Sequence, residues 1–132
     1  MTNQRGYESY CVSERDAQIA GAAPVQLMVV LMNGLLDELA RVRAHIDAKR
    51  YEQKGAGIAK CIQMFNGLTS MLDADTENDT VKRLDALYAY CTRRINEAGF
   101  ELDTTIVDEI VALVTTLRDA WASVEKRSRC KA

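Results

Sequence analysis

The single histidine, His45, limits the chemistry that this chain could perform. A di-iron site in a helical bundle uses Glu-x-x-His pairs, but Val42 stands three residues before His45. Zinc sites often use a C-x-x-C pair, and no such pair occurs among the four cysteines, Cys11, Cys61, Cys91 and Cys130. Cys61 and Cys91 lie on apolar helical stripes, so we interpret them as reduced core residues. The sequence therefore predicts neither a metal site nor a disulfide framework.

Other patterns that resemble catalytic or cofactor sites are weak. The run Gly55-Ala56-Gly57 lacks a preceding strand and the Lys-Ser/Thr pair of a phosphate-binding loop, so it indicates close helix approach or a helix start. Asp37 with Glu38, and Asp108 with Glu109, are neighbours in sequence and therefore diverge on a helix. We predict no catalytic residue, no cofactor and no enzyme activity.

His45 leaves one enzyme-like alternative open, a histidine phosphotransfer domain. Such domains are four-helix bundles of similar size, and their phosphorylated histidine lies in a motif close to His-x-Leu-Lys-Gly. Here residues 44–49 are AHIDAK, with Asp47 where that motif has leucine. A carboxylate at this position disfavours a phosphoryl group because like charges repel. We interpret His45 as an exposed residue near a helix end and keep phosphotransfer as the less favoured alternative.

Length and composition indicate one globular domain that needs no cross-links. The chain has 132 residues, 48% of them hydrophobic and 27% charged, which is enough to bury a core. The formal net charge of -2 is unlike the basic excess of a nucleic-acid-binding protein, and we interpret the basic tail 127–132 as a solvated terminus. No apolar run has the length of a membrane span or the form of a signal peptide. We predict a cytosolic protein without membrane insertion or nucleic-acid binding.

Apolar residues recur at steps of three and four in four segments, as amphipathic helices require. The first segment begins at Pro24 and ends near Ala48, and the second covers 51–72. The third follows a cap signal at Asn78 and the fourth follows Asp103, with short loops at 73–77 and 99–102. Short connections favour antiparallel neighbours. The sequence therefore predicts an all-α, antiparallel up-down four-helix bundle over 24–126, preceded by a flexible or capping segment at 1–23.

Several predicted helices carry apolar residues beyond one core row. We predict that a partner contacts these extra rows on the second, third and fourth helices, namely at Ile58, Ile62, Leu68, Leu87, Val107, Val111 and Val114. A four-helix bundle has difficulty burying such wide apolar arcs, and exposed strips often bind another protein's amphipathic helix. Loops, segment 1–23 or a second copy of the chain could cover the same rows, so a self-associating structural or regulatory bundle remains an alternative.

Three motifs go beyond generic helical patterning. Residues 24–34, PVQLMVVLMNG, resemble the helix-1 motif S-P-x-Q-L-I-x-M-L-[YF]-D-G of the FliS family of flagellin secretion chaperones. Residues 87–95, LYAYCTRRI, resemble its helix-3 motif, residues 119–121, DAW, resemble its C-terminal pattern, and Tyr10 lies where the family has a tyrosine. The chain departs from these motifs at Ala23, Met32, Asn33 and Cys91. These departures affect the shape of a client groove more than the class of protein.

The resemblance implies an export chaperone that binds the C-terminal region of flagellin, prevents premature polymerisation and keeps the subunit ready for export. It also implies that the segment around Tyr10 covers part of the client surface when no client is bound. We place Val12 beside Tyr10 in this removable cap. The resemblance further implies that the loaded chaperone docks on the flagellar export gate, and we expect a monomer or a weak homodimer.

Overall fold

Within residues 25–72 and 78–130, which are those that this computed structural model describes, the chain folds into four α-helices and no strand. They are α1 (Val25–Asp47), α2 (Tyr51–Ser70), α3 (Asp79–Glu101) and α4 (Thr104–Cys130). The all-α prediction is confirmed, while Pro24 and segment 1–23 lie outside the described residues. Two boundaries differ from the prediction. Helix α3 continues through most of the predicted loop 99–102, and α4 includes much of the predicted basic tail 127–132.

Polar caps and two left-handed residues define the connections between the helices. The Asn78 side chain accepts hydrogen bonds from two backbone N–H groups in the first turn of α3, at 2.8 and 3.2 Å. These amides have no partner within the helix, so the cap satisfies them. Asp103 caps α4 in the same way and accepts from the Thr105 N–H at 2.9 Å. Leu102 (φ 54°) and Lys49 (φ 60°) turn the chain after α3 and α1.

Contacts between α1 and α4 show that these two helices run antiparallel. Arg43 of α1 contacts Asp108 of α4, and Asn33, ten residues earlier in α1, contacts Arg118, ten residues later in α4. Helix α1 packs against α2 and α4, and α3 packs against the same two helices. The helices therefore form a closed ring in chain order, which is the up-down bundle that the short connections predict.

The core is built from one apolar face of each helix. Its fully buried members include Met28, Met32, Leu35, Leu39 and Val42 of α1, Cys61, Phe65 and Leu68 of α2, Tyr88, Cys91 and Ile95 of α3, and Val107, Ile110 and Val114 of α4. Among the described residues, Glu38 is the buried charged side chain, and its carboxylate lies 2.8 Å from Arg41 and 3.8 Å from Lys60. Two nearby cations offset the cost of removing this carboxylate from water.

Two glycines allow α2 to approach its neighbours closely. A Cβ on Gly57 would lie 2.8 Å from Val42 Cγ2 on α1, closer than real Cβ contacts come. A Cβ on Gly99 of α3 would overlap Ile58 Cδ1 on α2. At Gly57 the predicted close helix approach is therefore found, because only a hydrogen atom fits between the two helices.

Candidate partner-binding groove

An open groove runs along the outer surface between α2 and α3, and we call it the α2–α3 groove. Its first depression, the apolar depression, lies near the start of α2 and the end of α3 and has a volume of about 380 Å³. It is lined by Lys54, Gly55, Ile58, Ala59, Ile62, Asn96, Gly99 and Phe100. Small residues on α2 keep this space open, and nothing lies within 4 Å of the position that a Cβ on Gly55 would occupy.

Phe100 stands at the edge of the apolar depression with 91% of its surface exposed. Burying an apolar side chain of this size contributes about 1.5–3 kcal/mol, which a partner that covered Phe100 would gain. Tyr51 and Leu102 are also exposed and lie at the same end of the bundle, because α2 begins where α3 ends. This end of the groove therefore presents apolar surface that a partner could cover.

Lys54 joins the two walls of the apolar depression. Its Nζ donates a hydrogen bond to the Gly99 carbonyl at 2.9 Å. That carbonyl belongs to the last turn of α3, where helices leave carbonyls unpaired and where the helix dipole favours a cation. The bond joins α2 and α3 at this end of the groove.

A second depression lies farther along the same groove and has a volume of about 300 Å³; we call it the polar depression because most of its lining residues are of polar types. It is lined by Asn66, Thr69, Asp85, Tyr88, Ala89, Thr92 and Arg93. Tyr88 is its buried residue, with 1% exposure, and the Tyr88 hydroxyl has no hydrogen-bond partner among the described residues. Burial raises the pKa of Tyr88 to about 12, with a smaller contribution from Cys91, so the hydroxyl keeps its proton.

The linings of the two depressions are related by a seven-residue spacing on both helices. The related pairs are Ala59 and Asn66, Ile62 and Thr69, Ala89 and Asn96, Thr92 and Gly99, and Arg93 and Phe100. Seven residues make about two helical turns, or roughly 10 Å, and return to the same helix face. A groove with this repeat is complementary to a helix that presents side chains at positions i and i+7.

Some of the predicted partner residues lie at the surface. Ile58 and Ile62 line the apolar depression, where Ile58 is largely covered by its neighbours and Ile62 is half-buried. Leu87 and Val111 are half-buried and pack against the core. Tyr10 and Val12 lie outside the described residues. Partner contact by all of these residues stays a prediction.

Leu68, Val107 and Val114 lie inside the core, with 1%, 0% and 2% exposure. We expected these residues to form apolar surface outside the core, but they are part of the core. Helix α4 faces the bundle axis and also contacts both α1 and α3, so it buries a wider arc than one row of side chains. A partner could touch these three residues only if the bundle opened.

The helical pattern does not reveal Phe100 or Lys54 as features of the groove. The sequence places Phe100 in a predicted loop, although it lies in the last turn of α3. One signal is present: an aromatic side chain directly after Gly99 falls outside the core row of α3. The Lys54 hydrogen bond to a main-chain carbonyl of another helix leaves no mark in the sequence.

The neighbouring α3–α4 side is closed by a polar network. The Glu109 carboxylate accepts hydrogen bonds from the Tyr90 hydroxyl at 2.6 Å and from Arg94 Nε at 3.1 Å. Arg94 also donates to Glu97 at 2.6 Å. These bonds lower the pKa of Glu109 and raise the pKa values of Tyr90 and Arg94. Arg94 is therefore engaged within the bundle.

The residues considered for catalysis take structural positions. His45 Nδ1 accepts a hydrogen bond from Arg50 Nε at 3.0 Å beside the end of α1. Burial raises the pKa of the Cys61 thiol to about 12 and that of Cys91 to about 11. Across the described ranges, no three His, Cys, Asp or Glu side chains are grouped so that they could hold a metal ion. None of the helices in this part of the chain is long and apolar enough to cross a membrane.

Together these features define an antiparallel four-helix bundle with an open groove between α2 and α3. The family model described as Flagellar protein FliS matches residues 6–128, so the chain belongs to the FliS family and the resemblance in its motifs is confirmed.

Curated relatives match the chain over most of its length. The flagellar secretion chaperone FliSB of Pseudomonas aeruginosa is 33% identical over 124 residues, which cover 94% of this chain and 98% of the relative. The flagellar secretion chaperone FliS of Escherichia coli K12 is 30% identical over 122 residues, 92% of this chain and 90% of the relative. The flagellar secretion chaperone FliS of Bacillus subtilis is 26% identical over 129 residues, 98% of this chain and 92% of the relative.

Proposed function

We propose that this chain is a cytoplasmic export chaperone that binds the C-terminal region of flagellin, prevents its premature polymerisation and keeps it competent for export. Similar proteins are named flagellar secretion chaperones, which supports the export role. The observation that carries the proposal is the α2–α3 groove, where Phe100 remains almost fully exposed beside an open apolar depression. A protein that shields a polymerising surface needs such an apolar surface of its own.

In this proposal the client binds as an amphipathic helix laid along the α2–α3 groove. A large apolar client residue occupies the apolar depression, in contact with Ile58, Ile62 and Phe100. Leu87 and Val111, which are half-buried, extend the client contact onto α3 and α4. A client segment that becomes ordered only on binding loses conformational entropy, so the complex can be specific and still release its client.

Two further steps belong to the proposal and rest on the family resemblance. The segment that contains Tyr10 and Val12 covers part of the client surface until a client displaces it. The loaded complex then docks on the flagellar export gate. Neither step requires the chaperone itself to catalyse a reaction.

Calorimetric titration of the full chain with the isolated C-terminal segment of flagellin from the same genome tests the function. We expect saturable one-to-one binding with a negative heat-capacity change and a gain in helicity, because apolar surface is buried and the client folds. A folded chain that binds no client at any accessible concentration would contradict the proposed function.

A variant of Phe100 tests where the client binds. We expect Phe100→Ser to weaken client binding about tenfold or more, because it removes apolar surface that the client would cover. The urea unfolding midpoint should hardly change, since this side chain is exposed in the free protein.

Val30→Ser is the matched control, because Val30 is another exposed apolar residue but lies on α1, which does not line the groove. It should leave the affinity unchanged. Binding that is weakened by Val30→Ser and unaffected by Phe100→Ser would place the client on another face of the bundle.

A further inference from the structure

The last turn of α3, residues 98–101, has little support from its own side chains. Residues 98–101 include no basic side chain, and Glu101 adds a carboxylate at the end of the helix where the dipole favours a cation. Gly99 is a poor helix former, yet a Cβ there would overlap Ile58 Cδ1, so a larger residue does not fit. This turn therefore depends on contacts from outside its own helix.

Lys54 of α2 supplies both a cation and a hydrogen bond to this turn. The Asp103 N–H, which would pair with the Gly99 carbonyl in a continuing helix, donates instead to the Ala98 carbonyl at 3.1 Å. Lys54 Nζ takes its place and donates to the Gly99 carbonyl at 2.9 Å. Because the donor is charged and lies at the negative end of the helix dipole, this bond is stronger than one between neutral groups. Lys54 therefore stabilises the end of a helix to which it does not belong.

Phe100 directly follows Gly99, and the position of its ring depends on the backbone of this turn. The side chain is 91% exposed, so contacts with its neighbours do little to fix it. In a folded helical turn the Cα–Cβ bond has a defined direction, whereas an open turn lets the ring leave the edge of the apolar depression. A partner that binds an unfixed ring must also order it, which lowers the affinity.

We infer that Lys54 is a positioning residue of the client site: its ammonium group keeps the last turn of α3 folded and so holds Phe100 at the edge of the apolar depression. This inference rests on the proposed function, in which the client covers Phe100. It assigns Lys54 a bond to the main chain of α3 and an effect on the client that acts through Phe100. Loss of the ammonium group should therefore open the end of α3 and weaken client binding together.

Amide hydrogen exchange tests the local step without any client. The N–H groups of Leu102 and Asp103 both donate to the Ala98 carbonyl, so their exchange rates report how often the last turn of α3 opens. In the full chain, Lys54→Met keeps a side chain of similar length but removes the donor and the charge. It should raise these two rates about fivefold. The Met71 N–H, at the end of α2, should exchange at its original rate.

Titration with the flagellin C-terminal segment tests the effect on binding. Lys54→Met should weaken binding about fivefold. Lys54→Arg should restore most of the affinity and most of the protection from exchange, because a guanidinium group is also a charged donor. Lys82→Met is the matched control, since Lys82 is an exposed lysine in the first turn of α3 and lines neither depression. It removes the same charge from the chain and should leave the affinity unchanged.

A double substitution separates positioning from direct contact with the client. In a chain that already carries Phe100→Ser, adding Lys54→Met should change the affinity less than about twofold, because Lys54 acts through Phe100. A similar fivefold loss with and without Phe100→Ser would mean that Lys54 contacts the client itself, and the inference would be wrong.

The remaining outcomes separate this inference from the function on which it rests. If Lys54→Met leaves exchange at the end of α3 unchanged, Lys54 does not hold this turn and the inference is wrong, whether or not the client binds. If exchange becomes faster but the affinity does not fall, Lys54 only stabilises the fold, and the inference is wrong while the function stands. If the unsubstituted chain binds no client, the proposed function is overturned and the inference with it.

Discussion

The α1–α4 side and the α2–α3 side of the bundle differ although both join antiparallel neighbours. On the α1–α4 side, Arg43 donates to both carboxylate oxygens of Asp108, at 2.8 and 3.1 Å, and Arg118 donates to Asn33 at 2.6 Å. These long side chains bridge the surface above a filled core. The α2–α3 side has a groove in the corresponding place, and its walls are joined near one end by Lys54.

Side-chain size accounts for the difference between these two sides. Gly55 and Ala59 stand at groove positions on α2, and so little side-chain volume cannot cover the space between two helices. On the opposite side, arginines reach across the corresponding space. The same bundle architecture can therefore provide one side that is bridged by side chains, between α1 and α4, and one with an open groove, between α2 and α3. The order of the helices is the same in both cases.

Substitutions in α4 should give the largest effect on stability, and they test whether the valines of this helix belong to the core. Val114→Asp should destabilise the fold by about 4 kcal/mol or more, since it places a charge inside a dry core. Val111→Asp, at a half-buried position, should cost much less. Urea unfolding followed by circular dichroism measures both. A Val114→Asp protein that unfolds normally but binds client poorly would move Val114 from the core to the client surface.

Filling the groove should leave stability nearly unchanged and abolish much of the binding. We expect Ala59→Trp to weaken client binding at least tenfold, because the indole would occupy the apolar depression. Ala40→Trp adds the same side chain at an exposed position of α1, which lines neither depression, and should bind client normally. Titration with the client measures both affinities. If both variants lost affinity to the same extent, the α2–α3 groove would not be the binding side.

Acidification should give the smallest effect and act on the closed side. The hydrogen bond from Arg43 lowers the pKa of Asp108, so this pair stabilises the fold at pH values above the ordinary carboxyl pKa near 4. That contribution is lost as the pH falls through the lowered pKa of the folded state.

Asp108→Asn isolates this contribution of the ion pair. The difference in urea midpoint between the unsubstituted chain and the variant should be present at pH 7 and should shrink towards zero as the pH approaches 2. A difference that stays constant over this range would show that the pair stabilises the fold through packing and not through charge.

The helices, their caps and their antiparallel order follow from the sequence because each depends on local signals. Apolar spacing defines the core faces, and the Asn78 and Asp103 side chains cap the helices that they precede. Short connections then leave little choice of topology. These features are determined within a few residues, so one sequence is enough to predict them.

The groove follows from the sequence only in part, because it depends on which helices become neighbours. Val107 and Val114 share the apolar character of Ile62, yet they face the bundle axis while Ile62 lines the groove. Periodicity gives the width of an apolar arc but not how much of it two neighbouring helices cover. Phe100 is likewise a groove residue only because α3 continues to Glu101, into the predicted loop 99–102.

The burial of Cys61 and Cys91 has a consequence for the reactivity of the protein. A thiol reacts with oxidants and alkylating reagents as the thiolate, and the raised pKa values of these two residues leave almost none of that form near neutral pH. Modification of either sulfur must therefore wait until the bundle opens. The rate at which these two thiols are modified reports how often α2 and α3, the two walls of the groove, separate from the rest of the core.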